Sequence, residues 1–88
     1  MNVEFRKSFE KDLGNIREDT LLQRIKAVIE EVEIAEKLGD VSNLKKLKAD
    51  GDYYRIRIGD YRIGITLGED VVIFVRVLHR KDVYRYFP

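Results

Sequence analysis

The feature that most constrains the fold is a change in the spacing of apolar residues near the middle of the chain. In the first forty or so residues, apolar side chains recur every three or four positions, as on one face of a helix. From Tyr54 onward they alternate with arginines, as in half-buried strands. Helices therefore precede most of the strands, which predicts a single α+β domain over residues 1–88, with helices packed on one face of a small sheet.

The N-terminal half predicts one strand and two helices. Residues 2–6 alternate apolar and polar side chains, and Ser8 can cap a short helix that Gly14 or Asn15 interrupts. A longer helix begins at a capping-box pattern and runs until Gly39. The box residues are Thr20 and Gln23, and the apolar stripe is Leu21, Leu22, Ile25, Val28, Ile29, Val32, Ala35 and Leu38. The glutamates beside that stripe indicate a solvated face and no metal cluster.

The C-terminal half predicts three strands, at residues 54–58, 61–67 and 71–78. The last of these is a nearly continuous apolar run, which is typical of a strand covered on both faces. Residues 41–52 are interpreted as a polar connection anchored by Leu44 and Leu47. Together with the N-terminal strand this gives a four-stranded, mainly antiparallel sheet, in which the first strand lies either at an edge or parallel to the last one.

A two-residue loop at residues 59–60 sets the register of the first hairpin. It places Arg57 opposite Arg62 and Arg55 opposite Gly64, so three guanidinium groups share one face. Like charges that face each other destabilise a hairpin by roughly 0.2–1 kcal/mol, which favours a functional reason for the cluster. Planar cationic forks suit an anion with several oxygens, such as a phosphodiester. Gly64 would leave space beside Arg55 for that ligand.

The competing interpretation is a solvated face, on which the arginines pair with Asp52, Asp60 and Glu69. The C-terminal tail favours the functional interpretation. It adds a cation at Arg80, an imidazole at His79 that titrates near neutrality, and aromatic rings at Tyr84 and Tyr86 for base stacking. A rim of lysines would contact the nucleic-acid backbone without reading sequence: Lys45, Lys46 and Lys48. The side of the sheet taken by Arg76 depends on the second loop and stays open.

Composition narrows the chemistry of such a site. The chain has no cysteine and one histidine, which excludes thiolate zinc sites, cysteine nucleophiles and multi-histidine metal sites. Arginine, histidine and tyrosine together indicate a metal-independent ribonuclease, since RNA supplies its own nucleophile, the 2′-OH. We expect neither a metal nor a small-molecule cofactor. With no membrane-spanning run or signal sequence, the sequence predicts a soluble, cytoplasmic protein.

Three segments carry a resemblance to a known family. The runs YYRIRIGDYRIGI, VVIFVRVLHRKDVYRYFP and LKKLKADG resemble the RelE toxins of bacterial and archaeal toxin–antitoxin pairs, in the RelE/ParE superfamily. The similarity covers essentially the whole chain. It implies a microbial-RNase-like fold that enters the ribosomal A site and cleaves mRNA by 2′-OH attack, giving a cyclic phosphate. It also implies a cognate RelB-like antitoxin that wraps and inactivates the toxin.

The resemblance also implies roles for individual residues. The basic positions of the first hairpin strand fall on Arg55 and Arg57, and the phosphate clamp falls on Arg62 and Arg80. The C-terminal tyrosine falls on Tyr84, which would stack on a base or orient the 2′-OH, with Tyr86 as the second match.

One departure bears on the proton transfer. Relatives use lysines on the first hairpin strand, one of them proposed as the base, and arginine is a poor base because a guanidinium group keeps its proton in proteins. Two alternatives remain for the base: His79, or a group supplied by the ribosome and the substrate. The alternative function is inhibition of DNA gyrase by a ParE-like toxin without ribonuclease activity, and a decayed toxin that only binds its antitoxin is a third. Codon preference and the antitoxin sequence cannot be read from this chain.

Overall fold

A computed structural model describes all 88 residues, and its sheet has five strands in the order β1-β5-β4-β3-β2. The elements are β1 (Asn2–Phe5), α1 (Lys7–Gly14), α2 (Asp19–Ile34), a 3₁₀ turn (Leu38–Asp40), β2 (Leu44–Lys46), β3 (Tyr53–Ile58), β4 (Tyr61–Gly68), β5 (Val71–His79) and α3 (Val83–Tyr86). Neighbouring strands are antiparallel except β1, which runs parallel to β5 at the edge of the sheet. The α+β class is confirmed. The first strand lies at an edge of the sheet and also runs parallel to the last strand, so both placements considered for it are observed.

The fifth strand corrects the prediction of four. Residues 44–46 lie in the segment interpreted as a connection, yet they pair antiparallel with β3. Leu44 packs against the core opposite Ile56, as expected of an anchor. A three-residue strand with a single apolar side chain shows no alternation, so the sequence pattern carries no strand signal there.

The long helix is shorter than its apolar stripe predicts. It starts at Asp19 with no side-chain hydrogen bond at its N-terminus, so the capping box predicted for Thr20 and Gln23 does not form. It ends at Ile34, where the backbone of Ala35 turns extended at φ −61° and ψ 139°, well before Gly39. The remaining stripe residues still pack against the core, because the chain folds back over the same face.

Helix α1 closes the free edge of β5 beyond the end of β1. Ser8 lies within this helix and does not cap it; its hydroxyl donates to the carbonyl oxygen of Val75 at 2.6 Å. One turn later the carboxylate of Asp12 accepts the backbone N–H of Val77 at 3.0 Å. Two side chains of α1 thereby take the place of a neighbouring strand on this edge, while the other edge of β5 stays paired with β4.

The main core lies between the sheet and the first two helices. It consists of Phe9, Leu21, Ile25, Val32, Val41, Ile56, Ile58, Ile63, Ile65, Val72, Phe74 and Val77. Because every second residue of β3 and β4 points into this core, the intervening arginines lie on the opposite face. The packing of α1 and α2 on one face is confirmed. The tail helix α3 covers part of the other face, so β5 is shielded on both sides as its apolar run predicts.

The β3–β4 turn depends on Gly59, whose φ is +54°. We expect Gly59→Ala to lower the free energy of unfolding by roughly 1–2 kcal/mol, because an L side chain in the left-handed region is strained. Urea denaturation measures this change. Gly14→Ala is the matched control, since no atom lies within 4 Å of the added Cβ and φ is not positive there. An equal loss in both variants would contradict the prediction.

Candidate nucleic-acid interface

Three arginines lie on the face of the sheet opposite the main core, which we call the arginine face. The observed register pairs Arg57 with Arg62 and Arg55 with Gly64, so the hairpin prediction is confirmed. None of the three arginines forms an ion pair with a carboxylate of this chain. No carboxylate of this chain therefore neutralises their positive charge at close range.

The acidic residues that could have neutralised these arginines have other partners or none. Asp52 lies 3.8 Å from the Lys46 ammonium, and Asp60 lies 3.8 Å from the Arg80 guanidinium. Glu69 forms no ion pair. The ion pairs that the solvated-face interpretation assigned to Asp52, Asp60 and Glu69 therefore do not form with the hairpin arginines.

The three guanidinium groups differ in how firmly they are held. Arg62 donates from one terminal nitrogen to two carbonyl oxygens at the hairpin turn, at 2.8 and 2.9 Å. Arg55 donates to the carbonyl oxygen of Asn43 at 2.9 Å, and its Nε is enclosed without a hydrogen-bond partner. Arg57 is exposed, and its side chain makes no hydrogen bond within the protein. Unsatisfied N–H groups therefore remain on this face for an acceptor.

The backbone of Arg80 lies at the hairpin turn, directly after the end of β5. Its backbone N–H donates to the carbonyl oxygen of Asp60 at 2.7 Å, which places it beside the residues that also hold Arg62. The two residues come from different strand ends and meet at residues 59–61. Arg62 and Arg80 are therefore both attached near the hairpin turn, and the Arg80 guanidinium lies 3.8 Å from the Asp60 carboxylate.

The C-terminal tail lies across the same face. Val83 and Phe87 are buried there, with 0% and 2% exposure, whereas Tyr84 and Tyr86 are exposed. A Cβ added to Gly64 would lie only 2.6 Å from the Phe87 ring. The space that Gly64 leaves beside Arg55 is therefore filled by Phe87, and the prediction that a ligand enters there is wrong.

A groove between β2 and the tail, which we call the tail cleft, has a volume of about 510 Å³. Its lining residues are Lys45, Lys46, Leu47, Lys48, Ala49, Tyr84, Phe87 and Pro88. Lys45 pairs with Arg55 in the sheet and so belongs to the arginine face. Lys46 belongs to the other face, where its ammonium lies 6.0 Å from the centre of the Tyr54 ring. The cleft combines cations with an exposed phenol, the elements that hold a single nucleotide.

Arg76 lies on the arginine face but does not add free charge to it. It is opposite Gly64, which settles the side that the sequence left open. Its guanidinium binds the Asp12 carboxylate through two bonds, at 2.8 and 3.1 Å. The hydrogen bond to Asp12 raises the pKa of Arg76 above its usual value. The Tyr86 ring lies 5.9 Å from this guanidinium, which fixes Tyr86 away from the tail cleft.

His79 is the predicted catalytic residue that the structure does not bring to the arginines. It pairs with Tyr61 on the core side of the sheet, and the two rings meet edge to face at 5.5 Å. There it borders a separate cleft of about 420 Å³ that also contains Arg24. A β-bulge in the β4–β5 pairing near Gly64 causes this placement, because one extra residue reverses the side chains that follow.

Phe87 is the structural residue of this face that sequence reasoning missed. Its only signal is a glycine inside a strand, which often marks the close approach of another group. The chain contains no group of three or more histidine, aspartate or glutamate side chains arranged to hold a metal ion. None of its helices has the length and hydrophobicity needed to cross a membrane.

Comparisons with known proteins identify relatives in sequence and in fold. The model of the family described as the ParE toxin of the type II toxin-antitoxin system parDE matches residues 3–84. Toxin RelE3 of Methanocaldococcus jannaschii is 50% identical over 93 residues, with 100% of both chains covered. The fold is similar to the RelB-RelE antitoxin-toxin complex from Methanococcus jannaschii, with a TM-score of 0.81 and 46% identity over 97% of this chain and 99% of that chain. The archaeal RelE-RelB complex from Pyrococcus horikoshii has a TM-score of 0.73 at 23% identity, covering 90% of this chain and 93% of that chain.

Proposed function

The chain belongs to the RelE family of type II toxin–antitoxin toxins, and on that premise we propose that it is a ribosome-dependent mRNA endonuclease acting in the A site. The observation that carries the proposal is the group of unpaired arginines on the arginine face, Arg55, Arg57 and Arg62, beside a cleft that contains Tyr84. Fixed cations without internal partners suit the phosphodiester of a bound RNA. A surface selected only for stability would not gather them, since they repel one another.

The reaction needs no metal, because the RNA carries its own nucleophile. The 2′ oxygen attacks the adjacent phosphorus in line with the leaving 5′ oxygen. The bond between the 2′ oxygen and phosphorus forms as the bond to the 5′ oxygen breaks. The 2′-OH gives up its proton and the leaving 5′ oxygen takes one up from solvent, which leaves a 2′,3′-cyclic phosphate and a 5′-hydroxyl. Extra negative charge develops on the non-bridging oxygens in the transition state, so donors fixed beside them accelerate the step.

The arginines divide this task by position. Arg62 and Arg80 meet at the hairpin turn and clamp the scissile phosphate. Arg57, the most exposed of the hairpin arginines, donates to a second oxygen of that phosphate or to its neighbour. Arg55 is half-buried beside the tail, and its unpartnered Nε supports the same anionic site from below. Arginine suits these roles because it stays charged and presents several donors in one plane.

Tyr84 acts on the nucleotide and the lysines act on the RNA backbone. The exposed phenol of Tyr84 stacks on a base or orients the 2′-OH in the tail cleft. The lysines supply nonspecific attraction to phosphates: Lys45, Lys46 and Lys48. Tyr86 takes a lesser part, because its ring lies against Arg76.

The general base does not come from His79 in this proposal. Its position on the core side of the sheet separates it from the arginines, and the guanidinium groups hold their protons too tightly to accept another. The proton of the 2′-OH is therefore passed to a group of the RNA or the ribosome. This assignment also explains why cleavage would require the ribosome.

The partner of the toxin is a RelB-like antitoxin. Support comes from solved relatives, which are complexes of a RelE toxin with RelB. The antitoxin inactivates this chain by covering it, and free toxin binds the ribosome and its mRNA.

Inhibition of DNA gyrase is the second candidate, because the matching family model is described by the ParE toxin. The test adds the purified chain to a translation extract containing a reporter mRNA and, in parallel, to a gyrase supercoiling reaction. We expect primer extension to show cuts in phase with codons and supercoiling to proceed normally. Intact message together with blocked supercoiling would replace the nuclease with the inhibitor.

A further inference from the structure

The tail helix α3 cannot hold its own position. It contains four residues, and a helix of one turn is unstable in water without packing. Its position therefore depends on contacts with the sheet. Only two tail side chains, Val83 and Phe87, are buried, and neither belongs to the main core.

The deepest of these contacts is the ring of Phe87 over Gly64. The ring occupies the place where any other residue at 64 would carry its Cβ, with three ring carbons at 2.6 to 2.7 Å from that point. Gly64 has no positive φ, so its backbone does not require glycine. Glycine inside a strand destabilises the protein relative to alanine, because its backbone loses more conformational freedom on folding. Packing of the Phe87 ring therefore explains why residue 64 is a glycine.

Two further contacts fix the orientation of that ring. It meets Tyr53 edge to face, with centroids 5.7 Å apart and planes at 86°. The backbone N–H of Phe87 donates to the carbonyl oxygen of Val83 at 2.8 Å, so the ring and the helix move together. Tyr84 follows Val83 directly, about 100° further around the helix. Fixing Phe87 therefore fixes the direction of Tyr84.

We propose that Phe87 is a positioning residue, seated in the notch left by Gly64, that holds Tyr84 at the tail cleft. Phe87 is only 2% exposed, so it acts on the RNA through Tyr84 rather than by direct binding. This inference rests on the proposed nuclease function, because Tyr84 acts there on the nucleotide. In this proposal Phe87 holds the tail only because Gly64 leaves room for its ring, so a side chain at residue 64 and the loss of the ring have the same effect.

The kinetic test compares Phe87→Ala, Tyr84→Ala and the double variant in ribosome-dependent cleavage. We expect Phe87→Ala to lower kcat about 10-fold or more with little change in KM, because a mobile Tyr84 orients the nucleotide less often. In the Tyr84→Ala background the same change should have no further effect. Effects that multiply, or a Phe87→Ala variant as active as the original chain, would overturn the proposal.

Conservative and matched variants separate positioning from general instability. Phe87→Leu keeps an apolar side chain over Gly64 and should recover most of the lost kcat. Gly64→Ala should act like Phe87→Ala, because its methyl group displaces the ring. Ile34→Ala removes an apolar side chain that is 82% exposed on α2 and should change nothing. Equal losses for Phe87→Leu and Phe87→Ala would contradict the role assigned to the seated ring.

Hydrogen exchange tests the seating without any cleavage assay. The amide of residue 87 should exchange about 10-fold faster or more in Phe87→Ala, while amides of β4 keep their protection. Unchanged exchange at residue 87 would show that the ring does not anchor the tail. If the original chain failed to cleave mRNA, the proposed function would fall. The exchange result would still decide whether Phe87 holds the tail.

Discussion

Replacing Arg62 with alanine is expected to slow cleavage of ribosome-bound mRNA by about 100-fold or more. Arg62 faces Arg57 in the sheet and lies at the hairpin turn near Arg80, and its loss removes the donor that we propose binds the scissile phosphate. The rate is measured in single turnover, with programmed ribosomes in excess. Arg62→Lys should restore only part of the rate, because an ammonium group lacks the planar fork.

Arg17→Ala is the matched control for this experiment. Arg17 is an exposed arginine in the connection between α1 and α2 and forms no ion pair. Its loss changes the net charge by the same amount, and the cleavage rate should stay within about twofold. A rate for Arg62→Ala equal to that of Arg17→Ala would remove Arg62 from the mechanism. Thermal unfolding of both variants shows whether the hairpin stays folded.

The largest effect on stability is expected from Asp12→Ala, which should lower the free energy of unfolding by about 3–5 kcal/mol. The Asp12 side chain is 9% exposed and binds both the Arg76 guanidinium and the backbone N–H of Val77. Removing it leaves a partly buried charge and a buried N–H group without partners. Urea denaturation at neutral pH measures the change.

Glu10→Ala provides the comparison within the same helix. Glu10 is exposed and forms no ion pair, so its loss should change the free energy of unfolding by less than about 0.5 kcal/mol. If Asp12→Ala were as mild as Glu10→Ala, the closure of the β5 edge by α1 would not be important for the fold. The raised pKa of Arg76 keeps the guanidinium charged, so its own titration leaves the ion pair intact at neutral pH.

The first hairpin could be predicted from sequence because two local signals agree. Alternating side chains define the faces, and the glycine at residue 59 supports a two-residue turn that fixes the register. From these alone the grouping of Arg55, Arg57 and Arg62 follows. Long-range structure was not needed, since the pairing joins residues that are close in the chain.

The packing of the tail and the register of the β4–β5 hairpin could not be predicted, because both depend on contacts that local sequence patterns do not encode. The bulge in the β4–β5 pairing adds one residue, and this residue decides that Arg76 joins the arginine face while His79 leaves it. The carbonyl of Val75, at this irregular point, accepts a hydrogen bond from Ser8, 67 positions away in the chain. Likewise, nothing local links Phe87 to Gly64.

The end of α2 was predicted wrongly because it too depends on contacts that the local sequence pattern does not encode. The apolar stripe of α2 continues past Ile34, because the segment that follows packs on the same core without being helical. Periodicity reports which side chains are buried, and it does not report whether the backbone between them remains a helix. The candidate site was unaffected, since α2 lies on the far side of the sheet.

The chemistry at the cut end of the mRNA tests the central claim most directly. A defined mRNA is placed in ribosomes with an empty A site, exposed to the toxin, and its fragments are analysed by mass spectrometry beside naked mRNA. The account predicts one cut within the A-site codon, only on the ribosome, with a 2′,3′-cyclic phosphate on the upstream fragment. Uncut mRNA, or fragments ending in a 3′-hydroxyl and a 5′-phosphate, would contradict it.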